Sequence, residues 1–212
     1  MNKITIIRNV TISGLVIFNL IGCAIRKNSF MDPRDGHTYK TVTLGTQTWL
    51  AENLNYEMRD SWCYADSASY GGKYGRLYTW EAAKQACPPG WHLPSDEEWK
   101  ILERYLGMTE EETNTFHLRG EGMGTKLKSE SGWETENGRK LGYNESGFNA
   151  LPGGYRLWDG TYHEIGKRGS WWTSTPEKQY ALRRGLFLDD NRIDIDAATV
   201  TLGFNVRCVK DE

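Results

Sequence analysis

Residues 82–99 read AAKQACPPGWHLPSDEEW, and this stretch predicts two consecutive helices separated by a proline-rich break. The first helix is expected to begin at Thr79, a residue type that caps helix N-termini, and to end at residues 88–90 (Pro-Pro-Gly). Ser95 followed by Glu98 has the spacing of a capping box, so the second helix is expected to begin there. The first helix closes on a cysteine, and any disulfide from it would fix that helix end to another part of the chain.

The rest of the chain is predicted to form short strands and turns. Alternating residues in 39–44 predict a strand, and Trp158-Asp159-Gly160-Thr161-Tyr162 predicts a hairpin with Asp-Gly at its turn. Further strands are expected at 169–175, 180–188, 192–195 and 203–209. Residues 56–73 are expected to be loop, because Gly71-Gly72 commonly interrupts regular structure. The predicted fold class is α+β in one domain, residues 31–212, with two helices, short twisted antiparallel strands and long loops.

The composition excludes two classes of protein. The chain has 212 residues, 38% of them hydrophobic and nine of them Trp, which is too apolar for a disordered chain. Its formal net charge is −2, whereas a nucleic-acid-binding surface needs an excess of Lys and Arg. No nucleic-acid partner is therefore expected.

The N-terminus is predicted to be a secretory signal. Lys3 and Arg8 precede an apolar run that is too short and too polar for a spanning helix. The run ends in Leu20-Ile21-Gly22-Cys23, which resembles the bacterial lipobox. That resemblance implies a signal peptide over residues 1–22, cleavage before Cys23, and acyl chains such as palmitate on Cys23. The alternative is a lone thiol behind an ordinary signal peptide.

Lipidation at Cys23 would make the membrane a partner of this protein. Residues 23–30 are interpreted as a polar tether. Ala24, rather than Asp, follows the cysteine, which resembles an outer-membrane address in Gram-negative sorting. The expected location is the cell envelope, as an outer-membrane lipoprotein, with the periplasmic or surface face left open.

Three further cysteines, Cys63, Cys87 and Cys208, lie in the predicted domain. A secreted protein can form disulfides, but an odd number allows at most one pair within the chain. The residues alone leave all three pairings open, together with the alternative of three buried thiols.

Three blocks of sequence resemble a known family. They are residues 35–54 (with Trp49-Leu50-Ala51-Glu52-Asn53-Leu54), 74–99 (with Tyr74-Gly75-Arg76-Leu77-Tyr78-Thr79-Trp80) and 147–156 together with 203–211. Together they resemble the Fibrobacter succinogenes major paralogous domain. Members of that family are typically secreted or lipid-anchored, and the resemblance implies no assigned biochemical role. Members often carry a second cysteine within the segment that is 65–73 here, so Cys63 is expected to lack its partner.

A more distant resemblance concerns the fold. The order Trp, Ala, Cys, Gly, Leu-Pro and Glu-Trp in residues 80–99 resembles the C-type lectin-like fold and the formylglycine-generating enzymes built on it. That likeness implies a C-type lectin-like architecture, in which a helix-one cysteine pairs with one in the last strand. The implied disulfide joins Cys87 to Cys208.

No catalytic residue is assigned. Formylglycine generation uses a pair of cysteines in a late strand, and residues 180–191 contain none. His37, His92, His117 and His163 are scattered without metal-ligand spacing. The sequence therefore predicts no catalysis, no cofactor and no metal.

Asp189, Asp190 and Asn191 form an oxygen-rich cluster that could serve a ligand. Ca²⁺ takes six to eight oxygen ligands, and Asp194 and Asp196 lie close by in sequence. The Glu-Pro-Asn and Trp-Asn-Asp signatures of sugar-binding C-type lectins are missing. A solvated turn is the favoured interpretation.

Trp158, Trp171 and Trp172 are candidates for stacking against a sugar. Because adjacent strand residues point to opposite sides, one of Trp171 and Trp172 is expected to face outward. The alternative, which is favoured, is that these rings pack in the core.

The leading hypothesis is a lipid-anchored binding module of the cell envelope with a glycan or protein ligand. The alternatives are a divergent enzyme on the formylglycine-generating scaffold and a structural envelope protein. Fold alone does not choose among them.

Overall fold

The structure is a computed structural model that describes residues 28–135 and 141–212. The predicted signal peptide (1–22), the lipidation residue Cys23 and tether residues 24–27 lie outside the described residues. The helices are α1 (Ala68–Tyr74), α2 (Trp80–Ala86), α3 (Asp96–Leu106), α4 (Glu110–Asn114) and α5 (Met123–Leu127). The strands are β1 (Ser29–Met31), β2 (Thr38–Leu44), β3 (Gln47–Leu50), β4 (Ser61–Cys63), β5 (Arg76–Tyr78), β6 (Trp91–His92), β7 (Tyr155–Arg156), β8 (Tyr162–His163), β9 (Arg168–Glu177), β10 (Tyr180–Phe187), β11 (Asp194–Thr199) and β12 (Val209–Lys210).

The two helices predicted from residues 82–99 are confirmed as α2 and α3. The Thr79 side chain accepts a hydrogen bond from the Ala82 N–H at 3.3 Å and caps α2. Ser95 and Glu98 form the expected capping box of α3, which ends at Gly107 in the left-handed conformation. Local capping chemistry therefore fixed both helix starts.

The prediction of loop over residues 56–73 was wrong, because the segment contains β4, a 3₁₀ turn and α1. Gly71 lies inside α1. A Cβ at Gly71 would overlap the Sγ of Cys63, so this glycine permits close packing of α1 on β4. A glycine required for close approach looks, in sequence, like one required for a turn.

Among the described residues, every pair of named strands is antiparallel, and this mixture of helices and antiparallel sheets confirms the α+β class. The larger sheet has the order β1-β2-β3-β12-β6, and a second sheet has the order β11-β10-β9. Two further pairs, β4-β5 and β7-β8, lie beside them. Because β1 begins at Ser29, regular structure starts inside the segment expected to be tether.

The closing strand is shorter than the predicted range 203–209. Strand β12 covers only Val209–Lys210. Upstream of it, Gly203, Phe204 and Asn205 form single bridges to three different parts of the chain. The segment therefore joins several elements instead of pairing along one of them.

The disulfide implied by the distant fold resemblance, Cys87–Cys208, is confirmed. It ties the end of α2 to the start of β12 and closes a sequence separation of 121 residues. A loop of that length is expected to stabilise the fold by about 4–5 kcal/mol through loop-closure entropy. Cys63 is a free thiol of intermediate burial, and the Arg76 guanidinium donates to its sulfur at 3.3 Å.

Two hydrophobic clusters fill the interior. One surrounds the disulfide and includes Trp172, and the other lies under α3 and includes Trp171. Within residues 28–135 and 141–212, no helix has the length and apolarity required to cross a lipid bilayer.

Candidate functional site

Trp171 and Trp172 are both buried, so the expectation that one of them faces outward was wrong. Their exposed fractions are 1% and 0%. The Trp171 indole N–H donates to Asn53 Oδ1, and the Trp172 indole N–H donates to the Tyr78 carbonyl, each at 2.8 Å. Strand β9 has one hydrophobic cluster on each face, so alternation places one ring in each cluster.

Trp158, by contrast, is 75% exposed at the turn between β7 and β8. Asp159 fixes this turn by accepting from the N–H and the hydroxyl of Thr161 at 2.9 and 2.7 Å. These hydrogen bonds lower the pKa of Asp159. The hairpin predicted at residues 158–162 is therefore present, and the solvent-exposed indole of Trp158 lies in its turn.

Asp189, Asp190 and Asn191 line an open cleft of about 870 Å³, which we call the polar cleft. Its lining includes carboxylates, an amide, hydroxyls and one exposed aromatic ring, from residues Glu121, Thr125, Glu134, Tyr143, Asp189, Asp190 and Asn191. The structure thus brings the three predicted loop residues to one site. Trp158 is not among the described residues that line it.

A buried lysine holds the loop of the polar cleft in place. Lys128 is 2% exposed, and its ammonium donates to the carbonyls of Phe187 and Asp190 at 2.5 and 2.7 Å. Its Nζ also lies 4.7 Å from the centre of the Trp133 ring. Burial lowers the pKa of Lys128 to about 8. The loop is therefore organised by a cation whose donors point inward to the backbone.

The loop side chains differ in how far they are already engaged. Asp190 accepts from the Arg192 guanidinium at 2.7 and 2.9 Å, and this hydrogen bonding lowers the pKa of Asp190. Asn191 donates to Glu121 at 2.8 Å. Asp189 is exposed, and within the described residues no hydrogen-bond donor reaches its carboxylate. Asp189 is thus the acceptor that the loop leaves open.

The neighbouring acids do not extend the cluster toward a metal. Asp194 and Asp196 each pair with the Arg183 guanidinium, at 2.8 and 3.2 Å. Across residues 28–135 and 141–212, no group of three or more His, Cys, Asp or Glu side chains is placed to hold a metal ion.

Sequence reasoning missed the opposite wall of the polar cleft. This wall comes from residues 119–128, where the sequence predicts only a short element at Thr125-Lys126-Leu127-Lys128, which overlaps α5. Arg119 exchanges two backbone hydrogen bonds of 2.9 Å with Ile193, and the Gly124 N–H donates to the Asn191 carbonyl at 2.7 Å. A Cβ at Gly124 would lie 2.6 Å from the Arg192 carbonyl oxygen, so only glycine allows this contact. The one sequence signal for this contact was the glycine itself.

The comparison with known families covers most of the folded region. The model of the Fibrobacter succinogenes major domain matches residues 42–210. No curated protein and no solved structure matches the chain. The matched residues include the capped helices, both cysteines of the disulfide and the polar cleft, and the chain therefore belongs to the Fibrobacter succinogenes major domain family.

Proposed function

We propose that this protein is a binding module of the bacterial cell envelope, without catalysis, whose ligand is a glycan held in the polar cleft. The observation that carries the proposal is the lining of the cleft. It combines the open carboxylate of Asp189, on a loop fixed by Lys128, with the hydroxyl of Thr125 and the exposed ring of Tyr143 from other segments. Concave sites with a few positioned polar groups are the usual form of small-ligand sites.

The chemistry of the lining suits a ligand that is rich in hydroxyl groups. The Asp189 carboxylate accepts hydrogen bonds, while the hydroxyls of Thr125 and Tyr143 both donate and accept them. Tyr143 is 55% exposed and offers a ring face. A sugar presents both hydroxyls and an apolar ring face, and it matches this combination without requiring a metal.

The architecture and the anchor belong to the same proposal. The Cys87–Cys208 link between a helix end and the last strand supports a C-type lectin-like architecture. Lipidation at Cys23 would hold the domain at the outer membrane, and several acyl chains together anchor firmly. The five residues from Ala24 to Asn28 could then span at most about 17 Å, which would keep the domain close to the membrane.

The proposal is tested with a glycan array probed by the full chain in detergent, with and without calcium. We expect a specific glycan to bind, and we expect Asp189→Asn to weaken it about tenfold, since it removes the charge and replaces one acceptor oxygen by an NH2 donor. Glu212→Gln, an exposed change at the C-terminus, is the matched control. A folded sample that retains no glycan would overturn the proposal. Binding that disappears only with chelator would instead assign a calcium-dependent site.

A further inference from the structure

His92 lies between two carboxylates beside strand β12. It is the second residue of β6, which is an edge strand of the larger sheet. Its Nε2 lies 2.6 Å from a carboxylate oxygen of Glu98, and its Nδ1 lies 2.6 Å from a carboxylate oxygen of Asp211. Glu98 belongs to α3, whereas Asp211 follows β12, so one imidazole ring joins three parts of the fold.

This geometry determines how many protons the ring carries. An ionised carboxylate only accepts hydrogen bonds, and a neutral imidazole has a single N–H donor. Both contacts are therefore hydrogen bonds only when both ring nitrogens carry protons, which makes His92 a cation. Partial burial acts against the charged ring, but the hydrogen bonds to Asp211 and Glu98 outweigh it and raise the pKa of His92 above its ordinary value of 6.5.

The strand that pairs with β6 turns its lysine away from this site. Across the sheet, His92 pairs with the buried, apolar Val209, while Lys210 pairs with Trp91. Because neighbouring residues of a strand point to opposite faces, Lys210 lies on the face opposite the imidazole. Asp211 comes one residue later and returns to the His92 side, so it is the charged group that this segment directs at the ring.

On the α3 side, Glu98 is held by more than the imidazole. Its second oxygen accepts from the Ser95 N–H and the Ser95 hydroxyl at 2.7 and 2.8 Å, as part of the capping box. Burial acts against its ionisation, but the hydrogen bonds from Ser95 and His92 lower the pKa of Glu98. The other two acids of the first turn pair with Lys100 instead of facing the ring.

The Asp211 carboxylate has weaker support. Within the part of the chain that the structure describes, His92 is its only hydrogen-bond donor, and the side chain is 53% exposed. The Asp211 backbone N–H donates to the Gly90 carbonyl at 3.0 Å. When the ring loses a proton, a lone pair must face one of the two carboxylates. Because Glu98 keeps its Ser95 donors, the contact expected to break is that of Asp211.

We propose that His92 is a pH-sensitive latch, which holds the segment after β12 against β6 while the ring is doubly protonated and releases it when the ring is neutral. Strand β12 covers only two residues, and the disulfide at Cys208 limits the release to the residues that follow it. Because the folded pKa is raised, the latch is fully closed below pH 6.5 and opens as the pH rises through the folded value. This proposal is independent of the glycan proposal and uses different residues.

The test is an NMR titration of the full chain in detergent that follows the ring nitrogens of His92 and the backbone of Asp211 together. The ¹⁵N shifts of the ring show which nitrogens are protonated. We expect a midpoint above 6.5, with both nitrogens protonated below it and Nε2 alone above it. About one pH unit above that midpoint, the order parameter of the Asp211 Cα–H bond should fall from about 0.85 to below about 0.6.

Asp211→Asn is the variant that separates a latch from a passive contact, because an amide can either donate to or accept from the imidazole. It should lower the His92 midpoint and leave residue 211 equally ordered on both sides of the titration. His37→Gln, which removes an exposed imidazole elsewhere on the surface, is the matched control and should change neither measurement.

Three results would overturn the latch. The first is a wild-type His92 midpoint at or below 6.5, since the two carboxylates would then not hold a cation. The second is an Asp211 backbone that stays ordered above the midpoint. The third is an Asp211→Asn variant that titrates and loses order as the wild type does, because the carboxylate would then play no part.

Discussion

The polar cleft and the base of the β7-β8 hairpin lie on one small domain and leave their carboxylates in opposite states. In the cleft, Lys128 turns its donors inward to backbone carbonyls, and Asp189 is left open to solvent. At the base of the β7-β8 hairpin, by contrast, the Asp66 carboxylate is already engaged by the Tyr162 hydroxyl, beside the rings of Tyr64 and Tyr70. Whether a carboxylate is open to a ligand therefore depends on which hydrogen bonds the fold has already made. Residue types alone would not have separated the two.

The prediction with the largest expected effect concerns the disulfide, and it tests whether both surfaces depend on one cooperative core. Replacing the disulfide by Cys87→Ser with Cys208→Ser should lower the free energy of unfolding by about 3–5 kcal/mol. Since the disulfide lies in a buried cluster shared by distant elements, the cleft and the hairpin base should be lost in one transition. Chemical denaturation monitored by glycan binding and by hydrogen exchange of residues 155–163 measures this, with Cys63→Ser as the control. Two separate transitions would show that the surfaces are independent units.

The next prediction concerns Lys128, whose hydrogen bonds hold the loop of the polar cleft. Lys128→Met fills similar space but leaves the carbonyls of Phe187 and Asp190 without a donor, which should cost about 2–4 kcal/mol. Glycan binding should be lost while hydrogen exchange of residues 155–163 in the native protein is unchanged. Hydrogen exchange of residues 187–192 locates the effect. An unchanged loop would mean that Lys128 does not hold the cleft.

The reciprocal change is smaller. Trp62→Ala removes the ring under the Arg156 guanidinium and should cost about 1–2 kcal/mol. It should raise the hydrogen exchange of residues 155–163 and leave glycan binding intact, as measured by the same two experiments. Trp62→Phe, which keeps a ring, is the matched control. Equal losses at both sites would remove the distinction drawn between them.

The smallest effect concerns pH. Burial lowers the pKa of folded Lys128 to about 8 from an ordinary value of 10.5, so between these values the unfolded chain binds more protons. Stability from this group should therefore rise with pH across that window, by about 1 kcal/mol between pH 8 and pH 9. The measurement is the difference in unfolding free energy between wild type and Lys128→Met at the two pH values. No difference in slope would contradict a buried, titrating Lys128.

The sequence predicted features that depend on neighbouring residues better than features that depend on packing between elements distant in the chain. Thr79, Ser95 and Glu98 define helix starts through contacts a few residues away, and these predictions held. Strand alternation correctly placed Trp171 and Trp172 on opposite sides of β9. It could not show that both sides are covered, because that depends on elements distant in the chain.

The candidate sites were predictable only in part. Asp189, Asp190 and Asn191 were identified as a cluster because they are adjacent in sequence, and Trp158 as an aromatic ring that could stack against a sugar. The role of Lys128 depends on carbonyls about 60 positions away, and no local pattern encodes it. The ring cluster of Tyr64 and Tyr70 was missed because residues 56–73 were interpreted as loop, although Gly71 allows close packing there.

The position of the disulfide also determines how the domain would respond to force. If the protein is anchored through its N-terminus, a pull on a bound ligand loads the chain between the anchor and the contact point. Residues 88–207, which contain the entire polar cleft, are enclosed by Cys87–Cys208 and cannot be drawn out end to end while that bond is intact. Trp62, Tyr64 and Tyr70 lie before Cys87, on the unprotected side. Under tension, residues 28–86 could be drawn out to their full length, whereas the chain between Cys87 and Cys208 could extend only as a closed loop.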